Sequence, residues 1–206
     1  MVLNKKVLLI TSIIILLPIL FGVLYWEQLP DMMTIHWGVN NEANGFASKG
    51  FTVFGLPLIL LGVQLLCSYA TTLDKKNKNT SLPDFVLWII PTISLLCNFV
   101  IYGTALNYTI NISLIVTLLM GILFIVMGIY MPKVKQNFTI GIKLPTTLSN
   151  EDNWNKTHQF AGKLWVVVGI LVVVWSILGL YSAILGAMLA ATIIPIIYSY
   201  KLQKNK

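Results

Sequence analysis

The residues able to do chemistry in this sequence are few, and they are poorly placed to do it together. There are two histidines, two cysteines, seven acidic residues and 14 lysines, with no arginine. A metal centre or an activated nucleophile needs several such groups brought close. His36 and His158 lie in segments predicted on opposite faces of a membrane, so they cannot share a metal or a Ser–His relay. No H-E-x-x-H pattern and no pair of intramembrane aspartates occurs. Cys67 and Cys97 sit in apolar runs and read as small apolar residues, without disulfide or metal-ligand spacing. No catalytic residue, metal site or cofactor is therefore expected.

What remains is contact chemistry. His36 adjoins Trp37, and it either senses pH or contacts a ligand, or simply packs with Trp37 at headgroup level. Asn40, Asn41, Asn44 and Gly45 make a turn-prone cluster. The second candidate face is Trp154, Thr157, His158, Ala161 and Trp165, which share one side of a helix. That face is either a docking surface for a cytoplasmic partner or an amphipathic stripe on its own bundle, with Trp154 anchored at the interface. Ser149, with Asp152 three residues on, reads as the cap of this helix. Phe138–Lys143 alternates like a short strand.

The elements that must position these residues are membrane helices. Hydrophobic residues make up 57% of the 206 and charged residues 10%, against roughly 25% charged in a soluble domain. Charge-free runs cover Val7–Trp26, Gly50–Leu73, Phe85–Pro132 and Leu164–Tyr200. At about 20 residues per crossing they accommodate six spans. The expected fold is an all-α integral membrane protein with spans near Val7–Tyr25, Phe51–Leu73, Phe85–Leu106, Ile112–Met131, Lys163–Gly179 and Ala183–Tyr200. A signal peptide would suit Lys5-Lys6, but Tyr25-Trp26 stands where a small-residue cleavage site belongs. The expected organisation is residues 1–73 (spans 1 and 2 with an outer loop, 27–49), 74–132 (spans 3 and 4) and 133–206 (an inner loop, then spans 5 and 6).

Thirteen of the 14 lysines fall on one side of this layout, and only Lys49 falls on the other. The positive-inside rule then places both termini in the cytoplasm of a multi-pass cell-membrane protein. The net charge of +7 thus reports topology and contact with membrane lipid rather than direct nucleic-acid binding. Beyond Lys163 at its boundary, no predicted span carries Asp, Glu, Lys, Arg or His, which counts against an ion-coupled transporter. Gln64, Ser68, Ser94 and Asn98 read as interhelical hydrogen bonders. Ala183, Ala187 and Ala191, with Gly186 and Ala190 beside them, form a small-residue stripe. It packs against span 5 or forms a homodimer seam.

Two stretches carry a resemblance. Asn137-Phe138-Thr139-Ile140-Gly141-Ile142-Lys143-Leu144-Pro145-Thr146-Thr147-Leu148 and Trp154-Asn155-Lys156-Thr157-His158-Gln159-Phe160-Ala161-Gly162 resemble the signature of the SdpI family of bacterial membrane immunity proteins. Leu29-Pro30, His36-Trp37 and Gly45-Phe46-Ala47-Ser48-Lys49 look like the small domain that often precedes it. Lys143 stands where that family commonly has Arg, and Thr146 where it commonly has Trp. The resemblance implies immunity to a secreted toxin, the sporulation-delaying protein, and a signalling role in which an ArsR-type autorepressor is held at the membrane. It marks Asn137, Gly141, Lys143, Pro145, Thr147, Leu148, Trp154, Thr157, His158 and Gly162 as the inner signature. The outer loop offers Pro30, His36, Trp37, Gly45, Phe46 and Lys49 for contact with the toxin or another ligand. The competing reading is a non-catalytic transporter or exporter of a small or peptidic compound.

Overall fold

The computed structural model describes residues 2–38, 41–74 and 84–204. Asn40, the lysines at 75, 76 and 78 and Lys206 lie outside the described residues. Seven α-helices are described: α1 (Lys5–Leu24), α2 (Leu56–Thr72, entered through a π-type turn at Phe51–Gly55), α3 (Asp84–Ala105), α4 (Ile112–Tyr130), α5 (Pro145–Ser149), α6 (Glu151–Ile177) and α7 (Ser182–Lys204). All but α5 belong to segments long and apolar enough to cross a membrane, which makes six spans. Their outward faces carry large apolar side chains such as Leu9, Leu20, Leu66, Ile177 and Leu185. That is the surface a lipid solvent requires, because backbone polar groups are satisfied within each helix. The chain is an all-α integral membrane protein with six transmembrane helices.

The chain divides into two compact units, Met1–Ile112 and Ser113–Lys206. In the first, Asn4 caps α1 by accepting from the Val7 amide, and its Nδ2 donates to Asp84 Oδ2 at 3.1 Å. Gln64 Nε2 donates to Thr11 Oγ1 at 2.9 Å and to the Leu87 carbonyl at 3.0 Å, tying α2 to α1 and α3. Ser94 Oγ donates to the Ile15 carbonyl, and Tyr102 Oη to the Pro18 carbonyl at 2.9 Å. Gln64 and Ser94 are thus interhelical donors, as expected. Asn98 is not: its Nδ2 donates to Ser94 of its own helix at 2.9 Å.

The loop of residues 27–49 holds an element that its sequence does not announce. Strands β1 (Met32–Trp37) and β2 (Ala43–Ser48) pair antiparallel, with Met33 opposite Ala47 and Thr34 opposite Phe46. Strand alternation turns Met33, Ile35 and Trp37 toward Leu29, Val53, Ile101 and Tyr102, which fasten the hairpin onto the helices.

In the second unit, α4 and α6 approach at glycines. A Cβ on Gly162 would lie 2.7 Å from the Gly128 carbonyl oxygen, and one on Gly169 would lie 2.7 Å from that of Gly121. Small residues at such a seam let helix backbones meet. Of the α7 stripe, Ala191 is buried and Ala187 half-buried against α6, and Trp165 Nε1 donates to the Ala191 carbonyl at 2.9 Å. Ala183, Gly186 and Ala190 stay exposed.

Two local expectations are corrected. Phe138–Lys143 is not a strand. Asn137 folds the chain back on itself, with Oδ1 accepting from the Thr139 and Ile140 amides at 2.8 and 2.6 Å, and Gly141 takes φ 116°. Ser149 is not the cap of α6, since it ends α5. Asn150 is extended, and its Oδ1 accepts from the Asn153 amide at 3.1 Å. The interfacial helix and span 5 are one continuous helix. Its bilayer-crossing part starts after Lys163, because Glu151, Asp152, Lys156, His158 and Lys163 precede the apolar run.

Candidate functional site

The inner signature folds into a polar lock at one end of the second unit. Asn137 is fully buried and spends its whole amide on the loop: Nδ2 donates to the Lys135 and Ile140 carbonyls, both at 2.8 Å. Thr147 Oγ1 donates to the Ile142 carbonyl at 2.7 Å and accepts from the Leu144 amide at 2.9 Å. Trp154, fully buried, donates from Nε1 to the Val134 carbonyl at 2.7 Å and stacks on His158 at 4.0 Å. Gly141 lies against both rings: a Cβ there would sit 2.5 Å from His158 Nε2 and 3.0 Å from Trp154. Gln136 Nε2 clamps the Thr147 and Leu148 carbonyls at 2.6 and 2.9 Å.

A second network ties this loop to α7. Ser199 Oγ donates to Asn153 Oδ1 at 2.8 Å, and Asn153 Nδ2 donates to the Ser199 carbonyl at 2.9 Å. Thr157 Oγ1 also donates to Asn153 Oδ1, and Thr146 shares a hydroxyl contact of 2.6 Å with Ser199. Sequence reasoning missed Gln136, Asn153 and Ser199. Asn150-Glu151-Asp152 could have marked the true helix start. Nothing local could have paired Asn153 with a residue 46 positions away.

The helix face read either as a docking surface or as a stripe packed on its own bundle is buried. Trp154, Thr157 and Ala161 are 0% exposed and His158 is 1% exposed. Those side chains hold the loop in shape, and Trp154 is packed inside the unit rather than anchored at an interface. Phe138, Lys143 and Pro145 are the exposed rim, and Lys143 Nζ donates to the Thr139 carbonyl at 3.1 Å.

His158 is held in one tautomer. Nδ1 donates to the Trp154 carbonyl at 2.8 Å, so Nε2 is the lone-pair atom that accepts from the Ile142 amide at 3.0 Å. Burial lowers its pKa from the usual 6.5 to about 4, with the Trp154 carbonyl pulling weakly the other way. An unfolded chain takes up this proton near pH 6.5, and the folded loop does so only near pH 4. The neutral ring's contribution is therefore complete above pH 6.5, shrinks as pH falls and is gone by about pH 4, a span on the order of 3 kcal/mol. Hydrogen exchange at Ile142 reads it directly. Its protection factor is expected to drop roughly 50–100-fold between pH 7 and 4.5. Constant protection relative to the α6 amides would contradict the assignment.

On the hairpin, neighbouring residues take opposite faces. His36 is exposed, with Nδ1 against Asn44 Oδ1 at 2.6 Å, while Trp37 packs on the core. His36 and Trp37 therefore do not pack together. Gly45 faces His36, and a Cβ there would lie 2.8 Å from the His36 Cβ. Phe46 is 56% exposed and Met32, unremarked in the sequence, 57%. Both lie on one outward face with Thr34, and the register shifts at His36. Pro30 is exposed. Lys49 serves the fold: Nζ donates to the Leu29 and Trp26 carbonyls at 2.9 and 3.2 Å, pairs with Asp31 at 3.4 Å and lies 5.0 Å from the Trp26 ring centroid.

The immunity protein SdpI of Bacillus subtilis (strain 168) is 31% identical over 206 residues, covering 95% of this chain and 95% of that protein. This chain belongs to the SdpI/YfhL protein family. The family's own model matches residues 133–199, from the start of the inner loop to the serine that closes its network on α7. A domain of unknown function (DUF1648) matches 13–61, which spans most of α1, the hairpin and the entry to α2. No solved structure matches. A family member of this layout is a multi-pass membrane protein with an ordered element in each of its two long loops.

Proposed function

We propose that this protein is a membrane immunity protein, protecting the cell that carries it against a secreted antimicrobial toxin. The observation that carries this reading is the near full-length relationship to a protein named for immunity. The hairpin supports it with an outward face that carries Met32 and Phe46, the apolar and aromatic material from which binding anchors are made. No catalytic role is proposed. The inner loop serves a second, signalling contact: Phe138, Lys143 and Pro145 form the surface offered to a cytoplasmic ArsR-type repressor, while the buried Asn137, Thr147, Trp154, Thr157 and His158 fix its shape. The exposed stripe of Ala183, Gly186 and Ala190 is the surface for a homodimer.

Two experiments test this. Cells sensitive to the sporulation-delaying toxin and expressing this chain are expected to survive doses that kill cells carrying an empty vector; equal killing would overturn the reading. Orientation is tested with Asn41→Cys in a chain whose Cys67 and Cys97 are serine. An impermeant thiol reagent is expected to label it in intact cells. Labelling only after permeabilisation would invert the topology.

A further inference from the structure

Pro91 lies inside α3 and Pro195 inside α7. A proline in a helix interior has no N–H for the carbonyl four residues before it, and in a bilayer that carbonyl needs another donor. The freed carbonyls are those of Leu87 and Ala191. Each is met by a side chain from a neighbouring helix. Gln64 Nε2 of α2 donates to the Leu87 carbonyl at 3.0 Å, and Trp165 Nε1 of α6 donates to the Ala191 carbonyl at 2.9 Å.

In α7 the freed carbonyl stands upstream of the residue that closes the inner network. Ala191, Pro195 and Ser199 are spaced one helical turn apart and all are buried, so they share one face of the helix. α6 grips that face on both sides of the proline. Trp165 holds Ala191 before it, and Asn153 holds Ser199 after it at 2.8 and 2.9 Å. The Trp165 ring is itself steadied by Phe124 of α4, with 5.4 Å between ring centroids. With the backbone ladder open at Pro195, whatever closes the gap sets the course of residues 196–204.

We propose that Trp165 is a positioning residue for the inner signature: its indole N–H stands in for the ladder donor that Pro195 lacks, and so aims the last turns of α7 to carry Ser199 onto Asn153 and Thr146. Loss of that N–H leaves the bend at Pro195 unbraced, and the Ser199 contacts loosen while the rest of α6 and α7 stays packed. The positioning rests on the geometry alone. That it shapes the surface offered to a repressor rests on the proposed signalling role.

Amide hydrogen exchange of the full-length protein in lipid nanodiscs tests this with Trp165→Phe, Pro195→Ala and the double variant. Trp165→Phe keeps an aromatic ring and removes the N–H. Exchange at residues 197–201 and in α5 is expected to quicken about 3- to 10-fold, the range for one net neutral hydrogen bond. The α6 amides 159–162, at the glycine seam with α4, should keep wild-type rates. Pro195→Ala returns a backbone N–H to the Ala191 carbonyl, so adding Trp165→Phe to it should change nothing further at 197–201. The same acceleration in both backgrounds would show that the indole acts by ring packing alone, and would overturn the proposal. So would wild-type exchange at 197–201 in Trp165→Phe, or acceleration that reaches 159–162 equally. If Trp165→Phe alone does not accumulate, Pro195→Ala is expected to restore its abundance in the membrane, and absence of that rescue would overturn the proposal too. Repressor capture is read in a separate assay, so failure of the signalling reading leaves the positioning standing, and failure here leaves the signalling reading standing.

Discussion

Trp154→Ala is expected to lower the stability of the second unit by about 3–5 kcal/mol, the usual cost of truncating a buried tryptophan. Three losses combine: a side chain that is 0% exposed, its 2.7 Å bond to the Val134 carbonyl and the ring that stacks on His158. Domains are stable by only about 5–15 kcal/mol, so the variant should be scarce in the membrane. Trp154→Phe keeps most of the buried area and loses the Nε1 donor, so about 1–2 kcal/mol is expected. Melting temperature of the purified protein and membrane abundance read both. Wild-type values for Trp154→Ala would show that this residue acts by contact with a partner rather than by holding the loop.

Gly141→Ala should do comparable damage through one methyl group. Its φ of 116° is a conformation that L side chains rarely adopt, and the added carbon would sit 2.5 Å from His158 Nε2. Backbone strain of this kind costs about 1–3 kcal/mol before the steric clash is counted. Ile142 should also lose its bond to His158, since ring and loop would have to separate. The expected result is a lower melting temperature together with faster exchange at the Ile142 amide. Unchanged exchange at Ile142 would mean the loop absorbs the methyl elsewhere.

The six spans were legible because their signal is bulk composition: a run of about 20 apolar residues has few alternatives. The hairpin was half legible. Met32–Trp37 alternates and contains Thr34, Ile35 and Trp37, all good strand formers. Its partner, Ala-Asn-Gly-Phe-Ala-Ser, does not look like a strand and becomes one by pairing with β1, whose Met33, Ile35 and Trp37 pack with Val53 and Ile101. The inner loop misled in the other direction. Phe138–Lys143 alternates in sequence, yet Asn137 captures its amides locally, and a short polar side chain can outcompete a strand that has no neighbour. The role of the signature helix stayed open between a docking face and a face packed on its own bundle, and burial of Trp154, Thr157 and His158 agrees with the second. Helical periodicity correctly put Trp154, Thr157 and His158 on one face, yet period alone cannot tell a face turned to a partner from one turned to its own chain. The contacts that decide this, Asn153 to Ser199 and Trp154 to Val134, span 46 and 20 residues and leave no local trace.

Protection through the outward face of the hairpin, as proposed, is read by a toxin dose–survival curve at matched membrane abundance. Sensitive cells would carry the wild-type chain, the double variant Met32→Ala/Phe46→Ala, or Phe138→Ala on the inner rim. The wild type is expected to protect. The double variant should lose at least about tenfold in tolerated dose, since interface anchors contribute roughly 1–3 kcal/mol each and 1.4 kcal/mol is a factor of ten. Phe138→Ala should protect as the wild type does. If the double variant protects fully at wild-type abundance, the hairpin face does not contact the toxin and protection does not run through it.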